Sequence, residues 1–404
     1  MAAKKKSTAA KIRVRMYRVG FGDCFLVTVP DGKTKKHILI DCGVHSQSQF
    51  KGIHDSVLAI EKETDGKLAV VVATHAHADH ISGFGTEAET FSRFEVGEVW
   101  LPWLEDLSNP QAKKLHTKAA ALAAMLHVHN EKSATKDPYV EMVTLNAVGA
   151  MAGAARSATG NNAKALELLR SGFGDKRRTH YLKGGDVFHD AGGIDGLTVR
   201  VLAPSTDPSF LSKMTPPESQ LYGLDKNGNI DIDKLEPFGK RWVGADGGLD
   251  PAYRKFLEEQ AAVPLRALAL SVDNYLNNTS LSMLLQYRGK TLLFPGDAQW
   301  GNWMSWQKEW EPILGEISFY KVGHHGSHNA TPHDALDLMT GDAVVAMAST
   351  DTVTSFNRGN FPVPYSKLVT AVKKRVGNRY AQSDQLPKAG APFKATAQWC
   401  DYEI

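Results

Sequence analysis

Three histidines and one aspartate stand within six residues of one another: His75, His77, Asp79 and His80. They lie in the run VVVATHAHADHISG, Val70–Gly83, directly behind three valines and an alanine. A β-branched apolar run of this kind predicts a buried strand, and the polar cluster begins where it ends. A strand end is rigid, so the loop after it can hold imidazoles and a carboxylate in fixed directions. Two histidines spaced by one residue can chelate one ion, and Asp79 with His80 can serve a second. Imidazole nitrogen and carboxylate oxygen hold zinc-like ions at about 2.0–2.2 Å, and a catalytic site keeps a position for water. A surface loop rich in histidine by chance would not gather three of the chain's 15 histidines behind an apolar strand.

Other polar groups also close apolar runs. Asp297 ends TLLFPGD, and His324, His325 and His328 fall in KVGHHGSHNA after the apolar stretch Ile317–Val322. Asp41 ends ILID, where it can accept a hydrogen bond from a ligand histidine or a loop amide and so fix ligand orientation. Gly20, Gly22 and Asp23 form a tight loop that reads either as a plain β-turn or as support for the site. Asn277, Asn278 and Ser280 precede a strand and are read either as turn chemistry or as neighbours of the site.

The T-H-x-H-x-D-H run resembles the signature of the metallo-β-lactamase fold, a superfamily of metal-dependent hydrolases. Five further strings occur in that family's order: VGFGDCFLV at Val19–Val27, ILIDCG at Ile38–Gly43, NNTSLSMLL at Asn277–Leu285, LLFPGDA at Leu292–Ala298 and KVGHHGS at Lys321–Ser327. Together they resemble the branch of hydrolase domains related to the competence protein ComEC. The resemblance implies an α/β fold, the αββα sandwich, with the site at one edge of two sheets. It implies two divalent ions, zinc first and manganese as the alternative. It makes His75, His77, Asp79 and His80 ligands and gives Asp297 the bridging position. One imidazole of the HHGS loop completes the second ion site. Nearness to the strand favours His324 as that ligand and leaves His325 for proton transfer, with Asp79 also in the catalytic set. Ser327, His328 and Asn278 become substrate or supporting contacts. Many relatives place a further histidine on the first ion, but the corresponding stretch, VLAPS at Val201–Ser205, has none. His180 and His189 lie nearby without following a clear strand.

Composition agrees with a folded hydrolase. The 404 residues are 42% hydrophobic and 23% charged, which is globular rather than disordered. No apolar run approaches a membrane span, and the basic N-terminus is followed by no apolar segment, so the expected location is cytoplasmic. Three cysteines, Cys24, Cys42 and Cys400, do not make a disulfide framework. A net charge of +3 decides little about nucleic acid. Residues 1–11 read as a tail, and 12–404 as one hydrolase domain. It carries a helical insertion at about 105–183 and a loop-rich one at about 205–262. The first contains Lys113–His129 and Val140–Leu169, rich in helix formers. The second contains DKNGNIDIDKLE, Asp225–Glu236, where Ile230 stands at the turn position that an EF-hand reserves for Gly. It also carries Lys213, Lys226, Lys234, Lys240 and Arg241. Trp300, Trp303, Trp306 and Trp310 are spaced to share one helix face against the core.

Three functions follow in order. The first is hydrolysis of an anionic phosphodiester, nucleic acid included, by hydroxide generated on the ions. The second is hydrolysis of a small ester, lactone, thioester or β-lactam. The third is a regulatory or scaffold subunit without catalysis. The insertions offer surfaces for a homo-oligomer or an accessory protein.

Overall fold

The computed structural model describes residues 11–132, 140, 143–144, 161–174, 177–213, 216–220, 272, 275–341, 343–353, 363–387 and 392–404. Among the described residues, fifteen strands form two sheets. The first contains β1 (Arg13–Tyr17), β2 (Cys24–Asp31), β3 (Thr34–Cys42), β4 (Lys67–Val72), β5 (Glu95–Pro102), β6 (Arg178–Leu182), β14 (Lys394–Ala395) and β15 (Trp399–Glu403). Its order is β14-β15-β1-β2-β3-β4-β5-β6. The second contains β7 (Val187–Phe188), β8 (Thr198–Ala203), β9 (Ser282–Tyr287), β10 (Lys290–Phe294), β11 (Phe319–Lys321), β12 (Val345–Ala348) and β13 (Tyr380–Gln382), in the order β13-β12-β11-β10-β9-β8-β7.

The valine run shows why the strands read as continuously apolar. Val70 and Val72 point between the sheets, into a core shared with Val14, Phe25, Met283, Phe294 and Met347. Val71 points the other way, onto helices α1 (Ile53–Thr64) and α2 (Ala78–Thr86) through Val57, Ile60, Ile81 and Phe84. Both faces of the strand are covered, so alternation disappears from the sequence. On the far side, Leu284, Leu293 and Ala346 of the second sheet pack on Trp303, Trp310, Leu368 and Val372. Four layers result, helix–sheet–sheet–helix: an αββα sandwich. Strands β3, β4 and β5 run parallel, as do β10, β11 and β12. Their carboxyl ends therefore come to one edge, where open α/β sheets bind ligands.

Several local expectations change. The tryptophans share a core but not a helix: Trp300–Ser305 is one helix, Trp306 caps it, and Trp310–Leu314 is another. The break leaves the Trp303 carbonyl without a continuing helix, and the Trp310 indole donates to it at 3.1 Å. The stretch read as a helical insertion does hold the long helix Pro110–Lys132, but it ends in β6, an edge strand of the first sheet. Residues 221–262, with the EF-hand-like run and four of the five insertion cations, lie outside the described residues. No helix among the described residues is long and apolar enough to cross a membrane. All three cysteines are buried and free.

Candidate metal centre

The carboxyl end of β4 passes through Thr74 into His75 and His77, and α2 starts at Ala78 with His77 as its N-cap. Asp79 therefore sits in the first turn of a helix, where the dipole favours a carboxylate. Gly43, just past β3, lets the two loops touch: a Cβ there would lie 2.4 Å from the His80 backbone nitrogen. From the other sheet, Asp297 follows β10, and His324 and His325 follow β11.

These loops bring Asp79, His80, Asp297 and His325 together, with one ligand atom from each lying within 4.8 Å of the others. His80 donates its Nδ1 proton to Asp41 Oδ2 at 2.7 Å and turns Nε2 to Asp297 Oδ2 at 3.0 Å. His325 donates Nδ1 to the Ser349 carbonyl at 2.9 Å and turns Nε2 to Asp79 Oδ2 at 3.1 Å and to Asp297 Oδ2 at 3.2 Å. In a neutral imidazole whose Nδ1 carries the proton, Nε2 is a bare lone pair. Two such lone pairs aimed at one carboxylate oxygen require a cation between them, either protons or a metal ion. Burial pulls the His80 pKa down, but Asp297 and Asp41 outweigh it and push it up to about 10. His325 is likewise raised, against burial, by Asp297 and Asp23. The donor set, two imidazoles and two carboxylates, suits zinc or manganese. The residues present fit a divalent cation.

His75 and His77 stand beside this group, with His75 Nε2 3.0 Å from His77 Nδ1. Thr74 gives its hydroxyl proton to Asp41 Oδ2 at 2.7 Å and lies 3.2 Å from His75 Nδ1, from which it can accept. The His75 lone pair is thus also on Nε2. Burial, followed by His80 and His77, holds His75 well below the usual imidazole range.

Nearness to the strand favoured His324 over His325, and the structure places them the other way round. His324 and His325 both adopt left-handed backbone, with φ of 41° and 50°. This double turn swings the second ring, not the first, into the cluster. His324 Nε2 stays 4.0 Å from Asp297 Oδ2 and 3.5 Å from Asn277 Nδ2. Burial, only partly offset by Asp297, lowers its pKa to about 4. Asp41, at φ 57°, is a third left-handed site residue, among six non-glycine examples in the described chain. Such strain gathers where surrounding structure dictates side-chain direction.

The remaining candidates lie further out. Asn278 is fully buried and uses its amide on backbone: Nδ2 donates to the Lys213 carbonyl at 2.8 Å, and Oδ1 accepts from Gln299 N at 3.0 Å. Ser327 is buried, and its amide bonds the His324 carbonyl at 2.8 Å. His328 packs edge-on against Tyr365, and burial lowers its pKa to about 4. Two further charged groups stand at the centre: Asp23, read as either a turn residue or support for the site, and Lys321, which was not read as a member. Asp23 bonds the Asp79 carbonyl through its backbone amide at 2.8 Å, and its carboxylate meets Lys321 Nζ at 2.5 Å. Lys321 stands among apolar neighbours in SFYKVG, so a charge in an otherwise buried strand was the available signal.

Asp41 provides a direct check. Asn tolerates the left-handed backbone, so Asp41→Asn keeps the shape and removes the charge behind His80. Zinc affinity should fall about 10–100-fold with the fold intact. Calorimetric titration measures this, and an unchanged Kd would remove Asp41 from the centre.

A family model described as the metallo-beta-lactamase superfamily matches residues 17–114. Over these residues the chain is similar to that superfamily, and its two-sheet, four-layer architecture is that of the metallo-β-lactamase fold. Two solved structures align with it at low identity. One is the metallo-beta-lactamase fold protein YhfI from Bacillus subtilis, 8% identical with TM-score 0.38, over 98% of this chain and 100% of that one. The other is a mutant of the CmlA beta-hydroxylase, 10% identical with TM-score 0.33, over 82% of this chain and 45% of that one. No curated protein matches the sequence.

Proposed function

We propose that this protein is a metal-dependent hydrolase of an anionic phosphodiester. The observation that carries the metal centre is the pair His80 and His325, each held from behind at Nδ1 and each turning Nε2 to Asp297 Oδ2. We assign Asp79, His80, Asp297 and His325 to one divalent ion, and His75 with His77 to a second. When bound, the ions activate water as a nucleophile and stabilise charge on the reacting group. The chain's own residues do the rest. Asp41 and Thr74 fix His80 and His75, the Ser349 carbonyl fixes His325, and burial keeps bulk water from the carboxylates. His324, one-fifth exposed and neutral at pH 7, stands at the rim and can accept a proton or a substrate hydrogen bond. This reverses the roles first read for His324 and His325.

The motif strings that resemble ComEC-type hydrolase domains favour phosphorus over carbon as the point of attack. Exposed Lys213, whose Nζ lies 5.4 Å from the Phe210 ring centroid, supports this, because Asn278 ties its loop to Gln299, two residues past Asp297. A second reading, hydrolysis of a small neutral ester or lactone, draws on other basic residues. Arg178 is paired with Glu98 at 2.6 Å, Arg375 bonds the Met339 carbonyl, and Lys373 covers the Tyr380 ring, so those clusters are engaged within the fold.

The test is hydrolysis of bis-p-nitrophenyl phosphate, DNA, RNA, p-nitrophenyl acetate and nitrocefin by zinc- and manganese-loaded protein. Phosphodiester cleavage is expected. On a polynucleotide the rate should fall steeply with salt, as phosphate contacts are screened, and Lys213→Ala should raise KM more than it lowers kcat. Salt-insensitive cleavage of the acetate or nitrocefin, with no phosphodiester turnover, would select the second reading.

A further inference from the structure

Lys321 closes β11 and is 2% exposed. Its Nζ stands among three oxygens: Asp23 Oδ2 at 2.5 Å, the Gly296 carbonyl at 3.1 Å and Asp297 Oδ1 at 3.3 Å. An ammonium has three donors and no acceptor, so this environment uses it completely. Burying an ammonium costs several kcal/mol unless its partners are well placed. The group therefore needs both carboxylates, and they in turn are oriented by it.

The consequence falls on Asp297. A carboxylate that joins two cations can give each one oxygen. Here the ammonium holds Oδ1, while Oδ2 alone faces His80 and His325. The two ion positions are also unequal in donors. One is offered Asp79, His80, Asp297 and His325. The other is offered His75 and His77, and Val201–Ser205 adds no imidazole.

We propose that Lys321 is a positioning residue. As a resident monovalent cation it holds Asp297 by one oxygen, leaves a single oxygen for divalent ions, and thereby makes the two ion sites unequal, strong at Asp79–His80–Asp297–His325 and weak at His75–His77. This rests on the metal-centre reading above.

The experiment titrates metal-free, full-length protein with zinc by calorimetry, and with cobalt(II) followed by its visible spectrum. Wild type should show two steps, the second at least about tenfold weaker than the first. His75→Ala should remove the weaker step alone. Lys321→Met frees Asp297 Oδ1, so it should narrow the ratio of the two dissociation constants by about tenfold or more and alter the cobalt bands. If Lys321→Met does not fold, Lys321→Gln keeps a polar group there without the charge and should narrow the ratio in the same direction. A wild type that binds neither ion defeats the metal-centre reading itself. Two equal steps in wild type, or an unchanged ratio and spectrum in the folded variant, overturn the role of Lys321 while leaving the metal centre standing.

Discussion

Asp297→Asn should abolish phosphodiester turnover, lowering kcat by about 10³-fold or more, since metal ions and the groups that hold them supply several kcal/mol of transition-state stabilisation. Asn keeps the shape of the side chain and removes its charge. Oδ2 is the atom that both His80 Nε2 and His325 Nε2 face, so the loss strikes the proposed strong ion position directly. It also has a structural cost. Burial works against the Asp297 carboxylate, but His80, His325 and Lys321 outweigh it and hold its pKa well below the usual range. A carboxyl with a depressed folded-state pKa adds stability above its unfolded pKa and loses it as pH falls through the folded value. The variant forfeits that contribution at neutral pH, so a lower Tm should accompany the lost activity. Circular dichroism and metal analysis separate the two effects. A folded variant that binds ions and turns over within tenfold of wild type would take Asp297 out of the centre.

Zinc should stabilise the protein markedly, and more so at high pH. An ion that binds only the folded chain contributes about 2.7 kcal/mol at a free concentration 100 times its Kd, enough to raise Tm by several degrees. The pH dependence follows from the imidazoles. His80, at about 10, is raised above its unfolded value, so in the metal-free protein its proton stabilises the fold below the unfolded pKa. That contribution disappears as pH rises through about 10. An ion held by His80 and Asp297 would displace that proton, so binding should release protons and strengthen with pH. Scanning calorimetry with and without zinc should show a larger Tm shift at pH 9 than at pH 6. A shift that shrinks with pH, or no shift with zinc or manganese at any pH, would contradict the assignment.

The difference between what was legible early and what was not is one of range. His75, His77, Asp79 and His80 are neighbours in the chain, and the valines before them announce a buried strand, so their grouping could be read locally. The same holds for Asp297 and the HHGS loop, each placed where an apolar strand ends. The layered α/β architecture was readable through the resemblance that these strings carry, while the valine run marked β4 as a buried strand, which the structure covers on both sides. The choice between His324 and His325 was not local. It depends on two consecutive left-handed residues, whose torsions are imposed by the Gly296 and Gly323 carbonyls and the Ser349 carbonyl around them. The helix break among the tryptophans likewise depends on an indole reaching back to a carbonyl.

The sequence by itself determined that strands end in side chains able to ligate a metal, and which four of those side chains stand together at the first loop. Only the tertiary structure decided that Lys321 meets Asp23 and Asp297, that Asp41 lies behind His80, and that Asp297 turns one oxygen inward. The reason is electrostatic. A buried charge persists only beside its compensating partner, and Asp23 meets Lys321, as His80 meets Asp297, across the two sheets, so these pairings exist only once the sandwich has closed.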